Sequence, residues 1–310
     1  MRIASLLASA TEAVYALGLA DQLVAVSHEC DYPPAARGKP RISRPRFDAA
    51  GLNSGQLDAA VRRAMSEHGA VYAVDQDLVR ELAPELILSQ AVCEVCAVPT
   101  SMAEQVARAL TPPPRVVSLD SHSIQDILDG ILAIGTAAGV PQRAERYVAG
   151  LTARLAGVRA AVNGRPAPRV LAIEWLDPPF VPGHWTPEMV QWAGGALLAG
   201  SSGRPSHEVS WDTLAAREPD VLVVMPCGFG LAATQSEADR FSDRLARVAP
   251  RAVESGNAFV VDGSAYFNRS GPRMVDGVEL LGALLHPDCF PNYRIEGKAR
   301  VWTPPRSEET

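Results

Sequence analysis

Short apolar runs alternate with helical patterns along almost the whole chain, and this alternation most constrains the fold. Leu23–Val26 (LVAV), Leu86–Ser89 (LILS) and Val221–Val224 (VLVV) are too short for core helices and carry no polar face. Runs of this kind, rich in Val, Ile and Leu, read as strands buried on both sides, which means a parallel sheet covered by helices. Arg2–Leu6, Arg115–Leu119, Arg169–Glu174 and Ala258–Val261 read the same way. In such sheets ligands sit outside the carboxyl ends of the strands. Three of the runs lead into cysteines: Cys30 after the first, Cys93 and Cys96 after the second, Cys227 after the third. Four of five cysteines thus fall where an α/β protein keeps its chemistry. The fifth, Cys289, lies near the end of the chain.

A chain of 310 residues is long for one core, which points to two lobes. The patterns divide it into an N-terminal α/β lobe at 1–120, connecting helices at 121–163 and a C-terminal α/β lobe with its tail at 164–310. Ser123–Ala138 and Gln142–Val162 are helical patterns broken only by Gly139-Val140-Pro141, which implies a stiff connector. Ser9 and Glu12 have capping-box spacing for the first helix. The segment from His28 to about Gly51 reads as loop, and the tail from Pro287 as mobile.

Net charge is −6, without a basic tract, which argues against a nucleic-acid partner. No run is long enough for membrane insertion. The N-terminal apolar stretch is only a strand long and meets Thr11 and Glu12 at once, so it reads as the first strand and helix and not as a leader. With an odd number of cysteines and one close pair, the expected setting is the reducing cytoplasm.

Three constellations carry candidate chemistry. SHECDYP gathers His28, Glu29, Cys30 and Tyr32 after the second strand. Cys93-x-x-Cys96 has chelate spacing, and Cys30 or Cys227 would complete a zinc or iron–sulfur site from separate loops. EWLDPPFVPGHW brings Glu174, Trp175, His184 and Trp185 within twelve residues. The tryptophans offer rings to stack on a flat ligand, and His184 or His28 offers an imidazole to a metal. AYFNRSGPR contributes Phe267, Asn268, Arg269 and Arg273, with Asn268 or Ser270 as N-cap of the last helix and the arginines near its positive end. No dinucleotide fingerprint, phosphate-binding loop or nucleophile elbow is present.

The opening RIASLLASATEAVYALGLADQLVAVSHECDYP resembles the substrate-binding proteins of iron-chelate and cobalamin transporters, the class III group with a helical backbone between two lobes. APELIL (Ala83–Leu88), the helical connector and EPDVLVV (Glu218–Val224) fit the same pattern. SHECDYP, CEVCAV, GHW, PCG and FNRSGPR match a leaderless branch commonly labelled cobalamin-binding. The resemblance implies two Rossmann-like lobes and a corrinoid, cobalamin above all, held in an interlobe cleft by His28, Glu29, Tyr32, Glu174, Trp175, His184, Trp185, Phe267, Asn268, Arg269 and Arg273. A protein that stays in the cytoplasm has no route to a periplasmic transporter. The alternative is a metalloprotein or metalloenzyme with Cys30, Cys93, Cys96 and Cys227 as ligands to zinc or an iron–sulfur cluster.

Overall fold

A computed structural model describes residues 1–91 and 97–305. The chain forms two compact units. Unit 1 comprises Met1–Leu52, Gln56–Leu151 and Ser270–Pro272; unit 2 comprises Asn53–Gly55, Thr152–Arg269 and Arg273–Thr310. The helix Pro141–Val162 runs from unit 1 into unit 2, preceded by Ile124–Ala137. Ser123 caps the earlier helix by accepting from the Asp126 N–H, and Asp126 completes the capping box.

Unit 1 contains strands β1 (Ile3–Ser5), β2 (Leu23–Val26), β3 (Ser43–Pro45), β4 (Tyr72–Val74), β5 (Leu86–Ser89) and β6 (Arg115–Ser118). Its main sheet has the order β2-β1-β5-β6, and all its pairings are parallel. Ile3, Ala4, Leu86, Ile87 and Leu88 are almost fully buried, as expected for strands covered on both faces. The N-terminal segment is therefore structural, since a cut after Ala10 would delete an interior strand. β3 and β4 pair antiparallel in a separate two-stranded sheet, so the stretch read as loop after His28 contains a strand.

Unit 2 contains β7 (Arg169–Ile173), β8 (Trp175–Leu176), β9 (Pro179–Val181), β10 (Ala196–Leu197), β11 (His207–Glu208), β12 (Val221–Val224), β13 (Ala258–Val261) and β14 (Ala299–Val301). The main sheet runs β10-β7-β12-β13-β14, with the last pairing antiparallel. β8, β9 and β11 form a small antiparallel sheet that continues from the end of β7.

Several local expectations are corrected. The first helix, Ala8–Ala16, has Leu7 at its N-cap and no side-chain cap, so Ser9 lies inside it. The last helix, Met274–Leu285, begins after Arg273, which displaces Asn268 and Ser270 as caps. The described part of the tail, 287–305, is not loose. β14 adds to the sheet edge, and Trp302 is fully buried with its Nε1–H donating to Asp239 Oδ1 at 3.0 Å. Strand pairing and one buried aromatic together bind this polar segment to the core.

Candidate functional site

Strand order indicates where each unit can hold a ligand. In unit 1 the chain leaves β1 for β2 on one side and later places β5 on the other; in unit 2, β10 and β12 flank β7 in the same way. Connections that depart to opposite sides leave a crevice at the carboxyl ends of the two central strands. The switch points are therefore β1/β5 and β7/β12.

At the unit 2 switch point, Glu174 follows β7 and Cys227 lies three residues beyond β12. The Cys227 N–H donates to the Glu174 carbonyl at 3.1 Å, which ties the two strand ends together. The Glu174 carboxylate accepts from Ser206 Oγ at 2.8 Å, and Ser206 in turn accepts the Gly183 N–H at 3.0 Å. A Cβ on Gly183 would collide with the Arg204 carbonyl, so only glycine allows the two loops to approach and present Ser206. Burial pushes the Glu174 pKa up to about 7, and the hydrogen bonds from Ser206 and the Gly183 backbone oppose it. A carboxyl group here changes charge near neutrality.

Beside it, the half-buried Trp175 meets Phe229 edge to face at 5.3 Å between centroids, and its Nε1–H donates to the Asp177 carbonyl at 3.1 Å. The residues read as a fixed loop are in fact a hairpin, with Trp175 opposite Phe180. His184 is half-buried with φ +50°. Its backbone N–H donates to the Arg204 carbonyl at 2.6 Å, and its carbonyl accepts from Gly203. Phe229 and Ser206 were missed by sequence reasoning. Phe229 carried a signal, two residues after Cys227 at a strand end. Ser206 carried none, because it reaches Glu174 from a distant loop.

Two aromatic residues expected to line a ligand are core residues instead. Trp185 is 8% exposed and its Nε1–H donates to the Phe267 carbonyl at 2.8 Å; Phe267 is fully buried. Both rings are thereby held away from solvent. Asn268 is half-buried, with an amide orientation that lets Nδ2 donate to the carbonyls of Gly263 at 2.6 Å and Pro226 at 3.3 Å. It braces the turn after β12. Arg273 lies over the Tyr266 ring at 5.9 Å, and Arg269 is half-buried nearby in sequence.

In unit 1, SHECDYP leaves the end of β2. Ser43 Oγ accepts the His28 N–H at 3.2 Å and lies within hydrogen-bond distance, 2.9 Å, of His28 Nδ1, so one hydroxyl holds both the backbone and the ring. Burial, aided by Arg41, lowers the His28 pKa to about 4, so the imidazole is neutral at physiological pH. Tyr72 packs against it at 4.9 Å. Glu29 and Tyr32 are exposed, Tyr32 at 45%. Cys30 is completely buried, its Sγ 3.0 Å from Thr11 Oγ1 and 3.2 Å from Ser27 Oγ.

Cys93 and Cys96 lie outside the described residues. The expectation that Cys30 leaves a strand adjacent to theirs is corrected: β1 separates β2 from β5, which puts two strand spacings, about 9.6 Å, between those ends. Among the described residues no group of three or more His, Cys, Asp or Glu could hold a metal ion. Cys227 belongs to unit 2 and Cys30 to unit 1.

The sequence matches the model of the periplasmic binding protein family over residues 3–263, and the chain belongs to that family. Its α/β architecture is that of class III periplasmic binding proteins. Among curated relatives, the vitamin B12-binding protein of Vibrio cholerae serotype O1 is 22% identical over 281 residues, covering 90% of this chain and 86% of that one. The vitamin B12-binding protein of Pectobacterium carotovorum is 24% identical over 278 residues, covering 88% and 84%. Among solved structures, a periplasmic heme-binding protein from Pseudomonas aeruginosa superposes with a TM-score of 0.68 at 24% identity, covering 92% of each chain. The periplasmic vitamin B12-binding protein of Vibrio cholerae gives 0.66 at 22%, covering 92% of this chain and 96% of that one.

Proposed function

We propose that this protein binds a metal-containing macrocycle of the corrinoid class, and that the β7/β12 switch point of unit 2 supplies a main part of the contact. The observation that carries the proposal is the juxtaposition at that switch point of an aromatic pair, Trp175 and Phe229, with a largely buried carboxyl group whose charge is easily lost. A macrocycle offers a broad flat face for the rings and amide or carboxylate arms at its rim. Glu174 and Ser206 suit such arms, accepting or donating according to protonation. Both the family and the relatives named for vitamin B12 support this ligand class. We also propose a cytoplasmic setting; an intact Met1–Ala10 segment in protein recovered from the cytosolic fraction tests it by mass spectrometry.

Titrating the full chain with cyanocobalamin and following tryptophan emission tests the ligand. Saturable quenching is expected, and Trp175→Ala should weaken binding by about 1–3 kcal/mol if the ring stacks on the cargo. Hemin serves as the competing chelate. No saturable response to any cobalamin form up to about 100 μM, a −5 to −6 kcal/mol interaction, removes the corrinoid proposal.

A further inference from the structure

A second site lies in unit 1, among residues that the proposed cargo does not use. Segment 41–68 holds five arginines against three acidic residues, in a chain whose net charge is −6. β3 explains how they converge. Ser43 turns its side chain to His28, so by strand alternation Arg44 faces the other way. The residue paired with Arg44 on β4 is Ala73, whose small side chain leaves the space in front of the guanidinium empty. The result is a cavity of about 260 Å³ lined by Arg44, Arg46, His68 and Ala73. A smaller cavity shares Arg46 and His68 with it and adds Arg63 and Glu67 from the helix Ser54–His68.

Arg46 is held in place, its Nε donating to the Tyr72 carbonyl at 3.2 Å. Arg44 and Arg63 have no ion pair or hydrogen bond among the described residues. Glu67, which lines the smaller cavity, lies 3.9 Å from His68 Nε2. Arg44 and Arg46 line the larger cavity and Arg63 lines the smaller one that shares Arg46 with it; none of the three has a carboxylate partner among the described residues, so the surface is short of negative charge. Planar guanidinium forks match the oxygens of a tetrahedral dianion and bind them bidentately. We infer that this cavity binds the phosphate group of a small ligand, either inorganic phosphate or a phosphate monoester.

Isothermal titration of the full chain at low salt, with inorganic phosphate and with glucose 6-phosphate, decides between the two sources. Equal affinities point to the free ion, and tighter monoester binding points to an organic phosphate; one-to-one binding in either form supports the site. The double variant Arg44→Ala, Arg63→Ala should weaken binding by about tenfold or more. Ala73→Leu keeps every charge and fills the cavity, so it should also weaken binding, whereas diffuse surface attraction would not notice it. Both variants change exposed or cavity-lining positions, and circular dichroism reports whether the fold is kept. The inference is overturned by no saturable heat up to about 5 mM phosphate, or by unchanged affinity in Ala73→Leu.

Discussion

Unit 1 carries its chain from β1 to β2 and returns to place β5 on the far side of β1; unit 2 repeats the step with β7, β10 and β12. The same winding ends in opposite chemistry. Beyond β2 stand a buried thiol among hydroxyls and an imidazole that burial keeps neutral. Beyond β7 stand a tryptophan edge-on to a phenylalanine and a carboxyl group that burial holds near the point of charge change. The winding fixes where a crevice opens, and the residues just past each strand decide what it can hold. Burial acts on both titratable groups in one sense, against charge, and therefore in opposite senses on their pKa values.

The largest expected effect breaks unit 2 alone. Trp185→Ala empties a nearly closed site and orphans the Phe267 carbonyl, so it should cost about 3–5 kcal/mol. Chemical denaturation should show an early transition for unit 2, while hydrogen exchange at Ile3, Leu23 and Leu86 stays slow. Equal loss of protection in both units would show that they unfold as one.

The comparison sharpens with pH. His28 falls from 6.5 to about 4 on folding, so its share of stability is full above pH 6.5 and is lost as pH drops from there towards 4. Glu174 rises from 4.5 to about 7, so the folded state binds the extra proton. Its cost is absent below pH 4.5, grows as pH rises to 7 and is constant above. Each shift is worth on the order of 3 kcal/mol at the plateau, less whatever solvent screens. His28→Gln should flatten the acid limb of a stability–pH curve and leave the limb above pH 6.5 alone. Glu174→Gln should raise stability at pH 8 and change little at pH 4. A Glu174→Gln variant with unchanged stability at both pH values would place the carboxyl group in solvent.

Much of this architecture was legible because parallel strands bury both faces. LVAV, LILS and VLVV could not be mistaken for surface segments, and Ile124–Ala137 with Pro141–Val162 announced themselves by helical period. The strand ends followed, and with them Glu174, Trp175 and Cys227 at one switch point. Illegible features depended on contacts distant in sequence. Trp185 and Trp175 look equivalent in EWLDPPFVPGHW, and only the Phe267 carbonyl, 82 residues away, turns Trp185 inward. β3 and β4 are three residues each: Ser-Arg-Pro carries no apolar residue apart from its proline, and Tyr-Ala-Val is too short to show a period. The order of β2, β1 and β5 puts a strand between the ends of β2 and β5, which proximity to strand ends in the sequence had treated as neighbours.

The smallest expected effect concerns the turn that aims unit 2's imidazole. His184 sits at φ +50°, which costs an ordinary residue roughly 1 kcal/mol and which asparagine tolerates better. Its N–H and carbonyl bond to Arg204 and Gly203, so the backbone geometry is set by the loop and not by the imidazole. His184→Asn should therefore hold stability within about 0.5 kcal/mol of the parent, the eased backbone offsetting the lost ring contact with Trp185 at 5.8 Å. If the imidazole reaches the cargo, cyanocobalamin affinity should still fall about fivefold, near 1 kcal/mol. In unit 1, by contrast, His28 is held by a side-chain hydroxyl, that of Ser43 on β3. Equal affinity in parent and variant, with stability kept, would confine His184 to shaping the turn and leave Trp175, Phe229 and Glu174 as the chemistry of the switch point.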